Sequence, residues 1–257
     1  MRPDGTGRRV LLEDGSAYNP SYSPDGRRIA FVTSLEGNET AIGVVRADGR
    51  NRRRLTTGPF DSGPEWSPDG RRLVFFREHP CEDYTEGGCP RRLRISRDYG
   101  ILVYHRGRTR VLTRGGRGGI WSPDGGLIAF HEAQGELWLM RPDGSRQRDI
   151  YHLPGDFPLF DWSPDGRKIL IGAPAADLIA VIGRNGDRHS HRRLIRNAED
   201  AAYSPDGRQI VFTRFEQNLE CSVKLWVARA DGTRQRMLRY PSGRPICGSS
   251  PDWGPRR

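Results

Sequence analysis

The chain has 257 residues, 35% apolar residues and a formal net charge of +10 at pH 7. All of its basic residues except Lys168 and Lys224 are arginines, and they are scattered rather than gathered into a basic stripe, so we expect no nucleic-acid partner. No apolar run approaches the roughly 20 residues of a membrane-spanning helix, and no signal-peptide core follows Met1. The 32 glycines and 19 prolines instead predict many short strands and turns, as in an all-β chain.

The tetrapeptide Ser-Pro-Asp-Gly, here called the SPDG turn, recurs five times at spacings of 44, 55, 41 and 41 residues. An aromatic residue precedes each copy and an apolar run follows it. The copies begin at Ser23, Ser67, Ser122, Ser163 and Ser204. Serine, proline and glycine occupy positions that a type I turn favours, so each copy predicts a strand, a tight turn and a second strand.

A second hairpin follows within each repeat, because Asp-Gly between two apolar segments is a strong hairpin signal. It occurs at Asp48-Gly49, Asp143-Gly144 and Asp231-Gly232, with Asn185-Gly186 and Arg106-Gly107 in the remaining repeats. Each repeat therefore predicts four antiparallel strands in about 42 residues. One such sheet cannot bury both faces, so the repeats should stack radially as the blades of a β-propeller.

The predicted repeats cover approximately residues 18–57, 62–114, 119–153, 158–196 and 200–240 of a single domain, with fragments at 1–12 and 249–257. Met1–Gly5 repeats Met140–Gly144 letter for letter, and Pro251–Pro255 is similar to a first strand. Five complete repeats and two fragments predict a six-bladed ring with an incomplete closing blade. We also hypothesise that Met1 is an internal or misassigned start, with a signal peptide encoded upstream.

These motifs resemble the WD40-like repeat of the TolB family, which runs P-x-W-S-P-D-G-x-x-I-A-F and continues as I-Y-V-x-D-x-D-G-x-x-x-x-L-T. The resemblance covers nearly the whole chain. It implies a propeller related to the C-terminal domain of TolB, and to the non-catalytic propellers of prolyl-oligopeptidase-like and tricorn-like peptidases. It also implies a periplasmic or secreted location in a bacterium.

The two faces of such a disc differ in sequence. The first and third turns of every blade lie on one face, here called the uniform face, which carries the SPDG turns. The second turns and the blade-to-blade connections lie on the other, here called the loop-rich face, and loops are where binding residues concentrate. The longest insertion, Arg77–Gly100, is predicted on the loop-rich face.

All four cysteines fall in loops of the loop-rich face. The simplest arrangement is two disulfides, Cys81–Cys89 and Cys221–Cys247, although four cysteines permit three pairings. Disulfides would indicate an oxidising compartment. Free thiols and a zinc site are the alternatives, but zinc has only His79 beside Cys81 and no C-x₂-C pair to support it.

No catalytic motif is recognisable. The chain has no G-x-S-x-G, no H-E-x-x-H and no phosphate-binding loop, so we predict no catalytic residue, metal or cofactor. Six polar residues that follow second strands could bind a ligand around the channel mouth, although charge at strand ends is also ordinary surface chemistry. They are Arg77, Glu78, His131, Glu132, Arg214 and Glu216.

The sequence thus predicts a monomeric, non-enzymatic scaffold that binds a protein or cell-envelope ligand through the loop-rich face. The alternative is the propeller domain of a prolyl-oligopeptidase-like peptidase whose catalytic domain lies outside this chain. A polysaccharide-active propeller would need a metal-binding His/Gln cluster, which could not be assembled from the sequence.

Overall fold

Five four-stranded antiparallel sheets make up the fold in a computed structural model. It describes residues 11, 17–36, 39–78, 99–132, 135–152, 159–173, 178–187, 191–216, 222–248 and 251–253. Every named element in these ranges is a β-strand, and none of them contains a helix long and apolar enough to cross a membrane. The predicted all-β propeller is confirmed.

Each sheet is one blade, with its strands side by side in chain order. Blade 1 contains β1 (Ala17–Tyr22), β2 (Arg28–Ser34), β3 (Thr40–Arg46) and β4 (Arg53–Arg54). Blade 2 contains β5 (Asp61–Trp66), β6 (Leu73–Arg77), β7 (Gly100–His105) and β8 (Arg108–Thr113). Blade 3 contains β9 (Arg117–Trp121), β10 (Ile128–Glu132), β11 (Glu136–Met140) and β12 (Arg148–His152). Blade 4 contains β13 (Leu159–Trp162), β14 (Lys168–Ala173), β15 (Leu178–Gly183) and β16 (Arg192–Arg196). Blade 5 contains β17 (Glu199–Tyr203), β18 (Gln209–Phe215), β19 (Val223–Arg229) and β20 (Arg236–Met237).

The SPDG turn is held by its own side chains. In the first copy the hydroxyl of Ser23 donates to the carboxylate of Asp25 at 2.6 Å and accepts the backbone N–H of Arg28 at 2.9 Å. Gly26 closes the turn at a φ of 64°, where glycine carries no Cβ penalty. The hydrogen bond from Ser23 also lowers the pKa of Asp25. The aspartates of all five SPDG turns accept the same serine hydrogen bond, so they recur because they stabilise the turn.

Neighbouring blades are joined by apolar clusters, one at each of the four junctions between complete blades. Between blades 2 and 3, Val74 and Ile101 pack against Trp121, Ile128 and Phe130, and all five are at most 7% exposed. Burial of this kind stabilises a fold by roughly 25 cal/mol per Å² of apolar surface. The ring is therefore held together by its junctions as well as by its sheets.

The described residues from the two chain ends occupy positions that complete blades also fill. Asp252 accepts the backbone N–H of Tyr22 at 2.8 Å. The equivalent hydrogen bond between complete blades joins blade 4 to blade 5, where Asp161 accepts the backbone N–H of Tyr203 at 2.8 Å. The carbonyl oxygen of Leu11 lies beside Gly49, where outer-strand carbonyls lie beside the equivalent glycines of other blades. Five complete blades are confirmed. Most residues of the predicted sixth blade lie outside the described ranges, so it stays a prediction.

Candidate functional site: the central channel

The first strands of the blades surround a central channel. Strands β1, β5, β9, β13 and β17 are the innermost, and each complete blade contributes residues to a cavity of about 340 Å³ in the channel. Pro251 and Asp252 from the C-terminal segment line the same cavity. Volumes from about 300 Å³ upwards are typical of ligand sites. The channel is therefore the candidate binding site.

Each of these strands is irregular in the same place. The pairing of first and second strands shifts register in all five blades, just before the aromatic that precedes the SPDG turn. Asn19, Gly63 and Asp200 have positive φ values of 48°, 56° and 41° at these shifts, and all three line the cavity. Such bulges bend a strand and re-aim the side chains beside them.

The position immediately before the aromatic alternates in chemistry around the ring. In chain order it is occupied by Ser21, Glu65, Ile120, Asp161, Ala202 and Asp252. Acidic residues thus come from blade 2, blade 4 and the C-terminal segment, with a neutral residue between each pair. We call Glu65, Asp161 and Asp252 the channel carboxylates; all three line the cavity.

Each channel carboxylate accepts a hydrogen bond from a neighbouring blade. Glu65 Oε2 accepts the hydroxyl of Ser21 at 3.0 Å. Asp161 accepts the backbone N–H groups of Trp162 at 2.7 Å and Tyr203 at 2.8 Å. The corresponding bond from Tyr22 to Asp252 orients the third carboxylate. These contacts fix where the negative charge sits in the channel.

The surroundings resist ionisation of all three groups. Burial raises the pKa of Asp161 to about 7 and that of Asp252 to about 6, and raises the pKa of Glu65 well above its usual range. The charge of Asp252 raises the pKa of both other carboxyls further. By surface area Glu65 and Asp161 are half-buried and Asp252 is exposed. Channel water therefore reaches carboxyls that protein otherwise encloses.

No cation within the described ranges offsets this charge. None of the ion pairs formed between described residues includes a channel carboxylate. Nor do the described residues contain three His, Cys, Asp or Glu side chains grouped closely enough to hold one metal ion. Enclosed carboxylates are usually paired or hydrogen-bonded to a cation. The charge is spread around the channel wall and suits an extended cationic group better than one compact ion.

Arg77, one of the six predicted ligand-face residues, forms a buried ion pair within blade 2. Its guanidinium forms two hydrogen bonds with Asp61, from Nε to Oδ1 at 2.5 Å and from Nη2 to Oδ2 at 3.1 Å. Asp61 is 0% exposed and Arg77 is 8% exposed. A Cβ on Gly58 would collide with the guanidinium, so this glycine makes room for the pair. Arg77 therefore ties the two inner strands of blade 2 together.

The other candidates of blades 2 and 3 lie near second-strand ends. His131 is 6% exposed and lies opposite Arg117 in the sheet. Glu132 is half-buried, and burial followed by the charge of Glu136 raises its pKa. Glu78 is exposed, and its backbone N–H donates to the carbonyl of Phe60 at 3.2 Å.

In blade 5 the candidates are engaged with neighbouring groups. Arg214 donates to the carbonyls of Arg196 at 3.1 Å and Asn197 at 2.9 Å. Glu216 forms an ion pair with Lys224 at 2.7 Å. None of the six candidate residues is among those that line the channel cavity. A ligand-binding role for them stays a prediction.

Three of the predicted disulfide cysteines, Cys81, Cys89 and Cys221, lie outside the described residues. Cys247 is described and forms a β-bridge with Lys224, near the start of β19. Both disulfide pairings therefore stay predictions.

Comparisons with known proteins agree with this architecture. No protein-family model matches the chain. Over 131 residues, or 49% of its length, the chain is 31% identical to the Tol-Pal system protein TolB of Anaeromyxobacter dehalogenans strain 2CP-C. The crystal structure of TolB from Acinetobacter baumannii superposes with a TM-score of 0.77 over 98% of the chain, at 20% identity. This chain is a β-propeller that resembles TolB.

Other solved structures share the fold of this TolB-like propeller. The nidogen/laminin complex matches with a TM-score of 0.66 at 12% identity over 94% of the chain and 88% of its own. Oligogalacturonate lyase in complex with manganese matches with a TM-score of 0.57 at 16% identity over 88% of the chain and 66% of its own. The chain spans 61% of the Acinetobacter TolB chain and 29% of the Anaeromyxobacter TolB sequence.

The sequence reasoning missed the channel carboxylates of the TolB-like propeller. They occupy the x of P-x-W-S-P, which the repeat leaves free, and so they carry no motif of their own. The signal that could have found them is a comparison of that one position across the six copies. Three acids at alternate copies stand out there, at Glu65, Asp161 and Asp252.

Proposed function

We propose that this TolB-like propeller is a non-enzymatic binding scaffold whose channel carboxylates receive a basic group of a protein or cell-envelope ligand. The observation that carries the proposal is the trio Glu65, Asp161 and Asp252, which line one cavity and form no ion pair with any described residue. Perturbed carboxyls in a cleft are candidates for function.

A cationic ligand group would relieve the electrostatic cost of the channel. Burial opposes ionisation of these carboxyls, and the charge of Asp252 opposes ionisation of both Glu65 and Asp161. An ammonium or guanidinium between them would favour the ionised forms and lower their pKa values. A guanidinium also presents several donors in one plane, which suits oxygens that approach from different sides. The chain as a whole carries +10, so this selectivity for cations is local.

The loop-rich face is the proposed docking surface for the ligand, whose basic group would extend along the channel to the carboxylates at the SPDG ends of the first strands. Two large apolar side chains are prominently exposed among the described residues, Tyr18 at 44% and Phe215 at 58%. Tyr18 lies at the start of a first strand and Phe215 at the end of a second strand, and both of these positions belong to the loop-rich face. Exposed aromatics are typical of protein-binding surfaces.

A periplasmic or other envelope location belongs to the same proposal. The similar Anaeromyxobacter protein is named as part of the Tol-Pal system. A Cys221–Cys247 disulfide, which would fit an oxidising compartment, is supported by connectivity. Gly248 N donates to Val223 O at 3.2 Å, which brings the segment after Cys247 to the start of β19, two residues after Cys221 in sequence. The peptidase alternative has only shared propeller architecture in its support.

The test is a calorimetric titration of the protein at pH 8 with acetyl-Gly-Arg-Gly amide, and with the same peptide carrying neutral citrulline. We expect saturable binding of the arginine peptide only. Glu65→Gln and Asp161→Asn should each weaken binding about tenfold or more, since a charge-assisted hydrogen bond is lost. Asp149→Asn, at an exposed aspartate in the outermost strand of blade 3, away from the channel, is the matched control and should bind normally. Equal binding of the citrulline peptide, or indifference to the channel variants, would contradict the proposal.

A further inference from the structure

Blade 1 differs from the other blades in how its aromatic residue is covered. Trp66, Trp121, Trp162 and Tyr203 are 3–9% exposed because side chains of the preceding blade pack on them. Tyr22, the equivalent residue of blade 1, is only half-buried. The junction in front of blade 1 is therefore less completely filled than the other four.

A cavity marks the incomplete junction. It has a volume of about 250 Å³ and a mainly apolar lining from the inner part of blade 1 and from Leu11. Ile29 and Phe31 form its floor and are 5% and 2% exposed, whereas Tyr18, also in the lining, is 44% exposed. We call this cavity the junction groove. An apolar cavity of about 150 Å³ already accepts a benzene-sized guest, so the groove has room for aliphatic side chains.

The repeat indicates what belongs in the groove. At the next junction, Ala30 and Val32 from the second strand of blade 1 pack on Trp66, Leu73 and Phe75 of blade 2. The same role at the groove would fall to a second strand placed before blade 1, with small or branched apolar residues at alternate positions. The chemistry of the occupant is therefore that of a short apolar β-strand.

Two contacts define the position of that strand. The hydrogen bond between Asp252 and Tyr22 places Trp253 as the aromatic of a first strand. In each complete blade the aromatic pairs with the first apolar residue of the second strand, as Tyr22 does with Ile29. Residues 251–253 have no strand partner within the described ranges. An added strand would pair with them and lay its alternate side chains into the groove.

We propose that the junction groove accepts an extended, alternately apolar β-segment of another polypeptide, which adds beside Trp253 and packs on Tyr22, Ile29 and Phe31. Backbone hydrogen bonds to the edge at Trp253 would provide the affinity, and the groove would select side-chain size, as in other cases of strand addition. The proposal rests on junction packing and on the placement of residues 251–253, and it does not require that the channel carboxylates bind a ligand.

The probe is a fluorescein-labelled peptide with the sequence of residues 27–34, a second strand of this protein, titrated with the 257-residue chain and followed by anisotropy. We expect saturable binding that weakens about tenfold or more when the peptide carries Val32→Asp, because a charge would enter an apolar site. In the protein, Tyr18→Asp should weaken binding similarly. Phe215→Asp, the matched change at an exposed aromatic outside the groove lining, should not.

Three outcomes would overturn the proposal. The first is no binding at millimolar protein. The second is equal binding of the Val32→Asp peptide, which needs no altered protein and so does not depend on how Tyr18→Asp folds. The third is loss of binding when the peptide is presented to the product of the entire open reading frame, because the groove would then be filled within the protein's own polypeptide.

Discussion

Replacing Asp161 with asparagine removes one channel carboxylate and keeps an oxygen that can accept the backbone N–H of Tyr203. The hydrogen bond from the backbone N–H of Trp162 is lost, a cost that does not vary with pH. The folded-state pKa of Asp161 is about 7, against an ordinary value of 3.8. The native state therefore binds this proton more tightly than the unfolded state does. The stabilisation is fully present below pH 3.8 and is lost as pH rises toward 7. The asparagine side chain does not ionise, so the Asp161→Asn protein should escape this loss.

The size of the effect follows from the shift. Between pH 4.5 and pH 7 each pH unit corresponds to about 1.4 kcal/mol, so the whole interval corresponds to about 3 kcal/mol. Channel water reaches the half-buried side chain, so we expect screening to reduce this to about 2 kcal/mol. The difference in free energy of unfolding, variant minus unaltered protein, should therefore increase by about 2 kcal/mol when the pH is raised from 4.5 to 8.

The assay is urea unfolding at several pH values, with the free energy taken from midpoint and slope. Glu78→Gln is the control, because it removes one negative charge at an exposed position outside the channel cavity. The reasoning is refuted if the difference between Asp161→Asn and the unaltered protein stays constant with pH, or if it moves in the opposite direction as pH rises. If this difference increases with pH as predicted, the ionised carboxylate of Asp161 destabilises the unaltered protein at neutral pH.

Two further predictions concern the scaffold. Arg77→Ala should lower the free energy of unfolding by about 3 kcal/mol, since it leaves Asp61 buried without its partner. Adding Asp61→Asn should recover part of this loss, as measured by urea unfolding. A loss below about 1 kcal/mol would contradict a structural role for the pair. Gly186→Ala should lower the melting temperature more than Gly107→Ala. Both glycines have positive φ, at 71° and 82°, but only at Gly186 would the new Cβ meet a neighbouring blade, at the carbonyl of Ile150. Equal shifts in calorimetry would show that this inter-blade contact does not constrain the ring.

The sequence predicted the blades because the information that builds them is local. The hydroxyl of Ser23 bonds to Asp25 and Arg28, two and five residues away, and the same spacing recurs in the later copies. Turn chemistry and alternating apolar residues can be read without knowledge of the tertiary structure. The five complete blades follow from those two features.

The candidate site could not be predicted in the same way, because it depends on long-range placement. Glu65 and Asp161 are 96 residues apart, and Asp161 and Asp252 are 91 apart, so only the closed ring brings them to one cavity. Nor does the sequence show that β5 and β6 place Asp61 directly opposite Arg77. Its charge already has a partner inside blade 2.

The measurement that tests the central claim most directly is a ¹³C NMR titration of the carboxyl carbons of Asp161 and Asp252, with and without acetyl-Gly-Arg-Gly amide. Without peptide, the two carboxyls should titrate near pH 7 and pH 6. A guanidinium bound between them should lower both pKa values toward the ordinary aspartate range, while the citrulline peptide should leave them unchanged. Unaltered titration curves in saturating arginine peptide would show that the channel carboxylates do not bind its basic group, and the account would be wrong.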